Sequence, residues 1–372
     1  MDFSFSEEQD AVEHLAAQVF AGHATVEQVK EIERGDERID RDLWRALADA
    51  GLLAIAVPED HGGSGLGLVE LCLLLEQQGH HVAPVPVWPT LVLGALAIAE
   101  HGTPAQQQEW LPGVAQGDIM LTAALAEAGA NDPFQPSVTA SRDGDRWRLD
   151  GTKPAVPAAH VAARVLVPAN IDGGDVAVFV VDPAGAGVER ALGETTDRSR
   201  VAELAFAGAP AEPLGDVDDG ARIVSGRVDR ALVALCARQV GVAEGALRMA
   251  ADYTSQRQQF GRPLSTFQGV ALKAADAYID TEAMRVTLWQ AAWRLTAGLD
   301  ATREVLVAKW WAAEGGQRVV HITQHLHGGM GADVDYPVHR YFLWGKQIEV
   351  TLGGASAQLA RLGRTLKEYT PA

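Results

Sequence analysis

A chain of 372 residues, 47% of them hydrophobic and 22% charged, has the composition of a folded globular protein, which excludes a mostly disordered one. At ~100–200 residues per domain the length allows two or three domains. Lys and Arg number 31 against 49 Asp and Glu, a net charge of −18 that leaves no broad basic surface for nucleic acid.

Residues 7–120 read as helices with short breaks. Leu43, Trp44, Leu47 and Ala48 recur at helical spacing and run to Gly51. Pro58-Glu59-Asp60-His61-Gly62-Gly63-Ser64-Gly65 then breaks the chain, and a second helix is expected over Leu68–Gly79. Thr103-Pro104 opens another helix, expected to stop near Leu111-Pro112-Gly113. From about 121 to 215 the pattern turns to strands. Asp143-Gly144 sits between two short alternating runs as a hairpin turn, and Val165–Val167, Val176–Val181 and Val201–Phe206 read as buried strands. From about 220 the chain is helical again, in four long segments expected over Val224–Ser255, Phe267–Ala297, Ala301–His325 and Gln347–Lys367. The fold class is therefore α+β with segregated parts: an N-terminal helical domain (1–120), a small central β domain (121–218) and a C-terminal four-helix bundle (219–372).

Cys72 and Cys236 lie in apolar stretches and read as core thiols. The first residues, Met1–Glu8, lack the basic start and apolar run of a signal peptide. No run approaches the ~18–20 apolar residues of a membrane span. Cytoplasmic localisation, away from membranes, is the expectation.

The usual nucleotide motifs are missing. Gly62–Gly67 lacks the G-x-G-x-x-G spacing and reads as a chain-reversing loop. His321, His325 and His327 have no acidic residue within a helical turn, so no metal site is expected. Arg257-Gln258-Gln259-Phe260-Gly261 has a plain reading as a helix C-cap closed by Gly261, with Ser265–Gln268 as the capping box of the next helix. That reading does not require Arg257 and Phe260 together. A forked cation beside a ring also suits a pyrophosphate and an adenine. Gly328-Gly329 reads as a turn, or as bare backbone that lets a phosphate approach.

Together these segments resemble the acyl-CoA dehydrogenase family of flavoproteins, in order along nearly the whole chain. Val57–Gly65 is similar to its P-E-x-x-G-G-x-G loop. Arg257–Pro263 with Phe267-Gln268 resembles R-x-x-F-G-x-P…F-Q. His325–Gly331 with Tyr336-Pro337-Val338 resembles Q-x-x-G-G-x-G…Y-P-V, with His325 in place of the glutamine. The resemblance implies FAD, and oxidation of an acyl-CoA to the trans-2-enoyl-CoA. In that reaction a glutamate takes the α-proton while hydride leaves Cβ for the flavin.

The sequence departs from the family where the chemistry is done. The resemblance gives the glutamate two alternative positions, and here they hold Leu352 (or Gly353, if the register slips) and Gln258. The T-E-P-x-x-G-S-D loop reads Ala126-Glu127-Ala128-Gly129-Ala130-Asn131-Asp132. The K-x-W-I-T strand reads Lys153-Pro154-Ala155-Val156-Pro157, with neither ring nor hydroxyl for the flavin. Kept are the residues that relatives offer across a subunit interface to the ADP end of FAD: Arg257, Phe260, Gln268, Gly328 and Gly329, with His325 at the glutamine's place. This asymmetry implies a non-catalytic chain that shares FAD with a catalytic partner subunit in an α2β2 heterotetramer. Acyl-CoA would then be bound mainly by the partner, electron-transfer flavoprotein would be the acceptor, and the substrate would be a steroid side-chain CoA ester. The alternative is a self-sufficient dehydrogenase whose base has moved to Glu349 or Glu127.

Overall fold

The computed structural model describes residues 4–129, 132–144, 146–171 and 174–367. Ala130 and Asn131 of the altered loop, and Met1–Phe3, lie outside them. The first part holds α1 (Glu7–His23), α2 (Val26–Arg34), α3 (Arg41–Asp49), α4 (Leu68–His80), a π-helical run over Trp88–Ala95, α5 (Leu96–His101) and α6 (Pro104–Ala115). Seven strands follow: β1 (Leu121–Ala123), β2 (Thr139–Asp143), β3 (Arg146–Pro157), β4 (Arg164–Asn170), β5 (Val176–Val181), β6 (Val188–Glu194) and β7 (Arg200–Pro213). The third part holds α7 (Gly220–Gln256), the short strands β8 (Gln258–Gln259) and β9 (Arg262–Pro263), α8 (Gln268–Thr296), α9 (Thr302–Leu326), α10 (Val338–Val350) and α11 (Ala355–Lys367). This is the α+β order that the sequence predicts.

The chain divides into two compact units. One comprises Glu31–Leu71 and Pro84–Ala231, the other Met1–Lys30, Cys72–Ala83 and Leu232–Ala372. In the first, the sheet runs β1-β4-β2-β3-β7-β5, with β6 on β7, and β5 pairs back with β4. The sheet thereby closes around Val138, Leu149, Val156, Val165, Val167, Phe179, Leu204 and Phe206, all buried. The β2–β3 hairpin forms at Asp143-Gly144, with Gly144 at φ +65° as such a turn requires. Gly62 and Gly65 likewise turn with positive φ, and a Cβ on Gly63 would fall 1.9 Å from the Val57 carbonyl oxygen. In the second unit α8, α10 and α11 pack around α9. There Arg318 of α9 holds Asp280 of α8 through bonds of 2.6 and 2.8 Å.

Local expectations differ from the structure at four places. Helix α6 starts with a capping box between Thr103 and Gln106 but does not stop at Pro112; it continues to Ala115, because Val114 and Ala115 belong to the same buried face as Trp110 and Leu111. The helix expected over Gln347–Lys367 is interrupted at Thr351–Gly354, where Leu352 and Gly353 take φ +56° and +98°. Ser265–Gln268 is not a capping box: Leu264–Thr266 forms a short 3₁₀ turn, Thr266 Oγ1 donates to Pro263 O, and Phe267 caps α8 without a side-chain bond. Gly261 does not end α7, which stops at Gln256; it forms a hairpin turn instead. Cys72 and Cys236 are buried thiols, as expected.

Candidate functional site

Sequence-predicted cofactor residues all fall in the second unit. After α7, Gln258 pairs with Pro263 and Gln259 with Arg262, so Phe260 and Gly261 make a two-residue turn at φ +54° and +79°. A turn of this hand favours Asn-Gly, because both residues need positive φ. Phenylalanine is strained there, at a cost of order 1 kcal/mol. Its ring is not repaid by burial, since Phe260 is 92% exposed. The hairpin is braced by Arg262 instead, whose guanidinium lies 4.0 Å over the ring of Phe267.

Arg257 precedes the hairpin. Its side chain is exposed and has neither a hydrogen bond nor an ion pair among the described residues. It lines a cavity of about 650 Å³ with His80, His81, Tyr253, Tyr336 and Tyr341. Burial pushes His81 down to about 4, so its ring is neutral near pH 7 and Arg257 faces no protonated His81 there, while Arg248 and Asp252 put one charge of each sign on the same lining.

Gln268 is the first residue of α8 and His325 lies in the last turn of α9; both are exposed. A Cβ on Gly328 or Gly329 would meet nothing within 4 Å, and Gly328 has φ +58°. Packing within the chain therefore does not demand a glycine at Gly329, and the space beside it is open.

The ends of α7 and α9 are joined by a stack that the sequence reading missed. The ring of His327 lies 4.7 Å from that of Tyr253 and 5.2 Å from that of Tyr336. His327 is buried, donates from Nδ1 to Thr323 O at 2.7 Å, and has an Nε2 with no hydrogen-bond partner among the described residues. Tyr253 is one turn before Arg257, and His325 and Gly328 flank His327. This stack therefore links the two predicted segments.

The positions at which the resemblance expects a base hold Leu352 (or Gly353) and Gln258. Leu352 and Gly353 are fixed in the loop between α10 and α11 by two side chains. Lys309 Nζ donates to Ile348 O, Glu349 O and Gly353 O at 3.1, 3.0 and 3.2 Å. Gln358 Nε2 donates to Leu352 O and Gly353 O at 3.0 Å each. Gln258 is exposed in β8. The alternative bases are engaged elsewhere: Glu349 Oε2 accepts from Lys346 Nζ at 2.5 Å. Glu127 is buried against Lys153 and accepts from Ser137 N and Oγ at 3.1 and 2.7 Å. In β3, Lys153 turns inward to that pair, the strand bulges, and exposed Ala155 sits at φ +49°. Pro157 offers only its carbonyl, which accepts from Thr122 Oγ1 at 2.7 Å.

Among the described residues, no group of three or more His, Cys, Asp or Glu could hold a metal ion. No helix among them is long and apolar enough to cross a membrane.

The chain matches the family models "Acyl-CoA dehydrogenase, N-terminal domain" over residues 6–118 and "Acyl-CoA dehydrogenase, C-terminal domain" over residues 218–367. It is 41% identical to acyl-CoA dehydrogenase FadE27 of Mycobacterium tuberculosis, with full coverage of both chains. A chain in the structure of the ChsE4-ChsE5 complex from Mycobacterium tuberculosis superposes with TM-score 0.94 at 41% identity, again over both full lengths. A chain of the Tcur3481-Tcur3483 steroid acyl-CoA dehydrogenase, a G363A variant, superposes with TM-score 0.93 at 53% identity, over 97% of this chain and 98% of that one. The chain belongs to the acyl-CoA dehydrogenase family.

Proposed function

We propose that this chain is the non-catalytic subunit of a heteromeric, FAD-dependent acyl-CoA dehydrogenase, and that it lends residues to a flavin shared with a catalytic partner. The observation that carries the reading is Phe260: a strained aromatic residue held almost wholly in solvent, three residues after Arg257, whose exposed side chain makes no hydrogen bond or ion pair among the described residues. A fold tolerates such strain where something outside it makes use of the side chain.

The exposed residues fit the ADP end of FAD. Arg257 would pair with the pyrophosphate, Phe260 would stack on the adenine, and Gln268 and His325 would supply hydrogen bonds. Gly328 and Gly329 would let the phosphates approach the backbone. FAD, when bound, supplies the hydride acceptor. The flavin-ring end does not fit this chain, because Ala155 and Pro157 offer no ring and no hydroxyl. Proton abstraction is therefore assigned to a glutamate on the partner, since Leu352 and Gln258 cannot accept a proton.

The named relatives extend the proposal. Two of them come from two-component assemblies, one titled a steroid acyl-CoA dehydrogenase. We assign this chain a steroid side-chain CoA ester as the substrate of its complex, an α2β2 arrangement, and electron-transfer flavoprotein as the acceptor. The test is Arg257→Ala in the assembled complex. Flavin occupancy should fall about tenfold or more while the two chains still co-purify, because a charge-assisted bond to a phosphate is lost. Full occupancy in that variant would remove Arg257 from the site.

A further inference from the structure

Two parts of the candidate flavin site come from different helices: Arg257 follows α7, and Gly328 and Gly329 follow α9. His327 touches both. Its backbone joins α9 to the 3₁₀ turn Gly328–Ala332, and that turn is pressed on α9, since a Cβ on Gly331 would fall 2.4 Å from Gln324 O. Its ring stacks on Tyr253 of α7, with 4.7 Å between centroids and 29° between planes, and lies 5.2 Å from Tyr336. Tyr253 and Tyr336 are themselves 6.1 Å apart, so the three rings close on one another. Tyr253 in turn anchors Arg257, whose backbone N donates to Tyr253 O at 2.8 Å. The imidazole is also held by one edge: Nδ1 donates to Thr323 O at 2.7 Å, one of the carbonyls left over at the end of α9. It is 2% exposed, and burial lowers its pKa below the ordinary 6.5, so it stays neutral near pH 7 and adds no charge beside Arg257.

We propose that His327 is a positioning residue for the shared flavin: through Tyr253 it sets how far Arg257 stands from the Gly328-Gly329 backbone, and so whether both reach one pyrophosphate. This rests on the shared-flavin reading and adds to it a buried residue that acts through Arg257 rather than on the cofactor. The spacing matters because a charge-assisted bond has its strength at ~2.7–2.9 Å, and a shift of about 1 Å between its partners forfeits it. A ring at this position supplies what an aliphatic side chain does not: two aromatic contacts with fixed planes, and a donor that ties those planes to the end of α9.

The test is FAD affinity of the assembled complex, read by flavin fluorescence on dilution. His327→Leu removes the stack and the donor together and should weaken FAD about tenfold. Tyr253→Leu should do the same, and carries the comparison if His327→Leu does not assemble. His327→Phe keeps a ring between the two tyrosines and should recover most of the affinity. In an Arg257→Ala background, His327→Leu should cost no more than about twofold, because the group it positions is gone. A purely structural role would give the same loss in both backgrounds. That result, an unchanged affinity in His327→Leu, or a His327→Phe complex no better than His327→Leu, overturns the positioning role while leaving the shared flavin standing. An Arg257→Ala complex that holds FAD as tightly as wild type takes Arg257 out of the site, and the role of His327 falls with it.

Discussion

Lys309 of α9 donates from a fully buried ammonium to Gly353 O at 3.2 Å, in the loop between α10 and α11. Two further bonds to Ile348 O and Glu349 O make this lysine the cap of α10. The strained backbone of this loop is held in place: Leu352 keeps φ +56°.

Lys309→Met should therefore destabilise the chain by about 3 kcal/mol, because three buried carbonyls lose their donor. The effect depends on pH. Burial pushes Lys309 down to about 8, from an ordinary 10.5. Between these values the unfolded chain holds a proton that the folded chain has released, so wild-type stability gains with rising pH. The gap between wild type and Lys309→Met should widen from pH 8 to pH 10.5, as read by urea denaturation. A gap that is flat over that range would mean that the lysine is not strained by its burial.

Phe260→Gly separates strain from function. Glycine adopts positive φ freely, and an almost fully exposed ring loses little packing. The isolated chain should gain up to about 1 kcal/mol of stability, while the complex should retain less flavin. Unchanged flavin retention would show that the ring is merely exposed.

The Glu127–Lys153 pair is buried on both sides. Lys153→Met should cost about 3–5 kcal/mol, because Glu127 is left charged and buried without its cation. Lys153→Met/Glu127→Leu should recover most of that loss in chemical denaturation. If Glu127 were instead the relocated base, Glu127→Gln would abolish turnover of the complex with stability intact; the account predicts the reverse.

Glu76 of α4 gives a second pH signature, of opposite sign. Burial raises it to about 7, although Arg285 of α8 pairs with it and with Glu244 of α7. A raised carboxyl contributes stability below its unfolded value of 4.5, and that contribution is lost as pH rises towards 7. Melting temperatures of wild type minus Glu76→Gln should therefore be higher at pH 5 than at pH 8. A difference that grows with pH would contradict the burial of Glu76.

What the sequence carries is local. The Thr103–Gln106 capping box and the Asp143-Gly144 turn are legible because their residue types demand those conformations over three or four positions. Phe260 is not, since nothing in a phenylalanine announces positive φ; the hairpin closes because Gln259 and Arg262 pair around it. The break at Thr351–Gly354 is hidden for the same reason at Leu352, and because its anchor, Lys309, lies 44 residues before Gly353. The candidate residues Arg257, Phe260 and Gln268 stand out by type and spacing. The Tyr253–His327–Tyr336 stack that links them to His325 and Gly328 exists only once α7 and α9 end beside each other.

Flavin absorbance of the purified chain, alone and co-expressed with its catalytic partner, tests the central claim most directly. The account predicts a colourless protein alone and a yellow complex that oxidises acyl-CoA. A chain that is yellow alone and reduces an electron acceptor with acyl-CoA would contradict it, and would return the catalytic base to this sequence, with Glu349 the first residue to mutate.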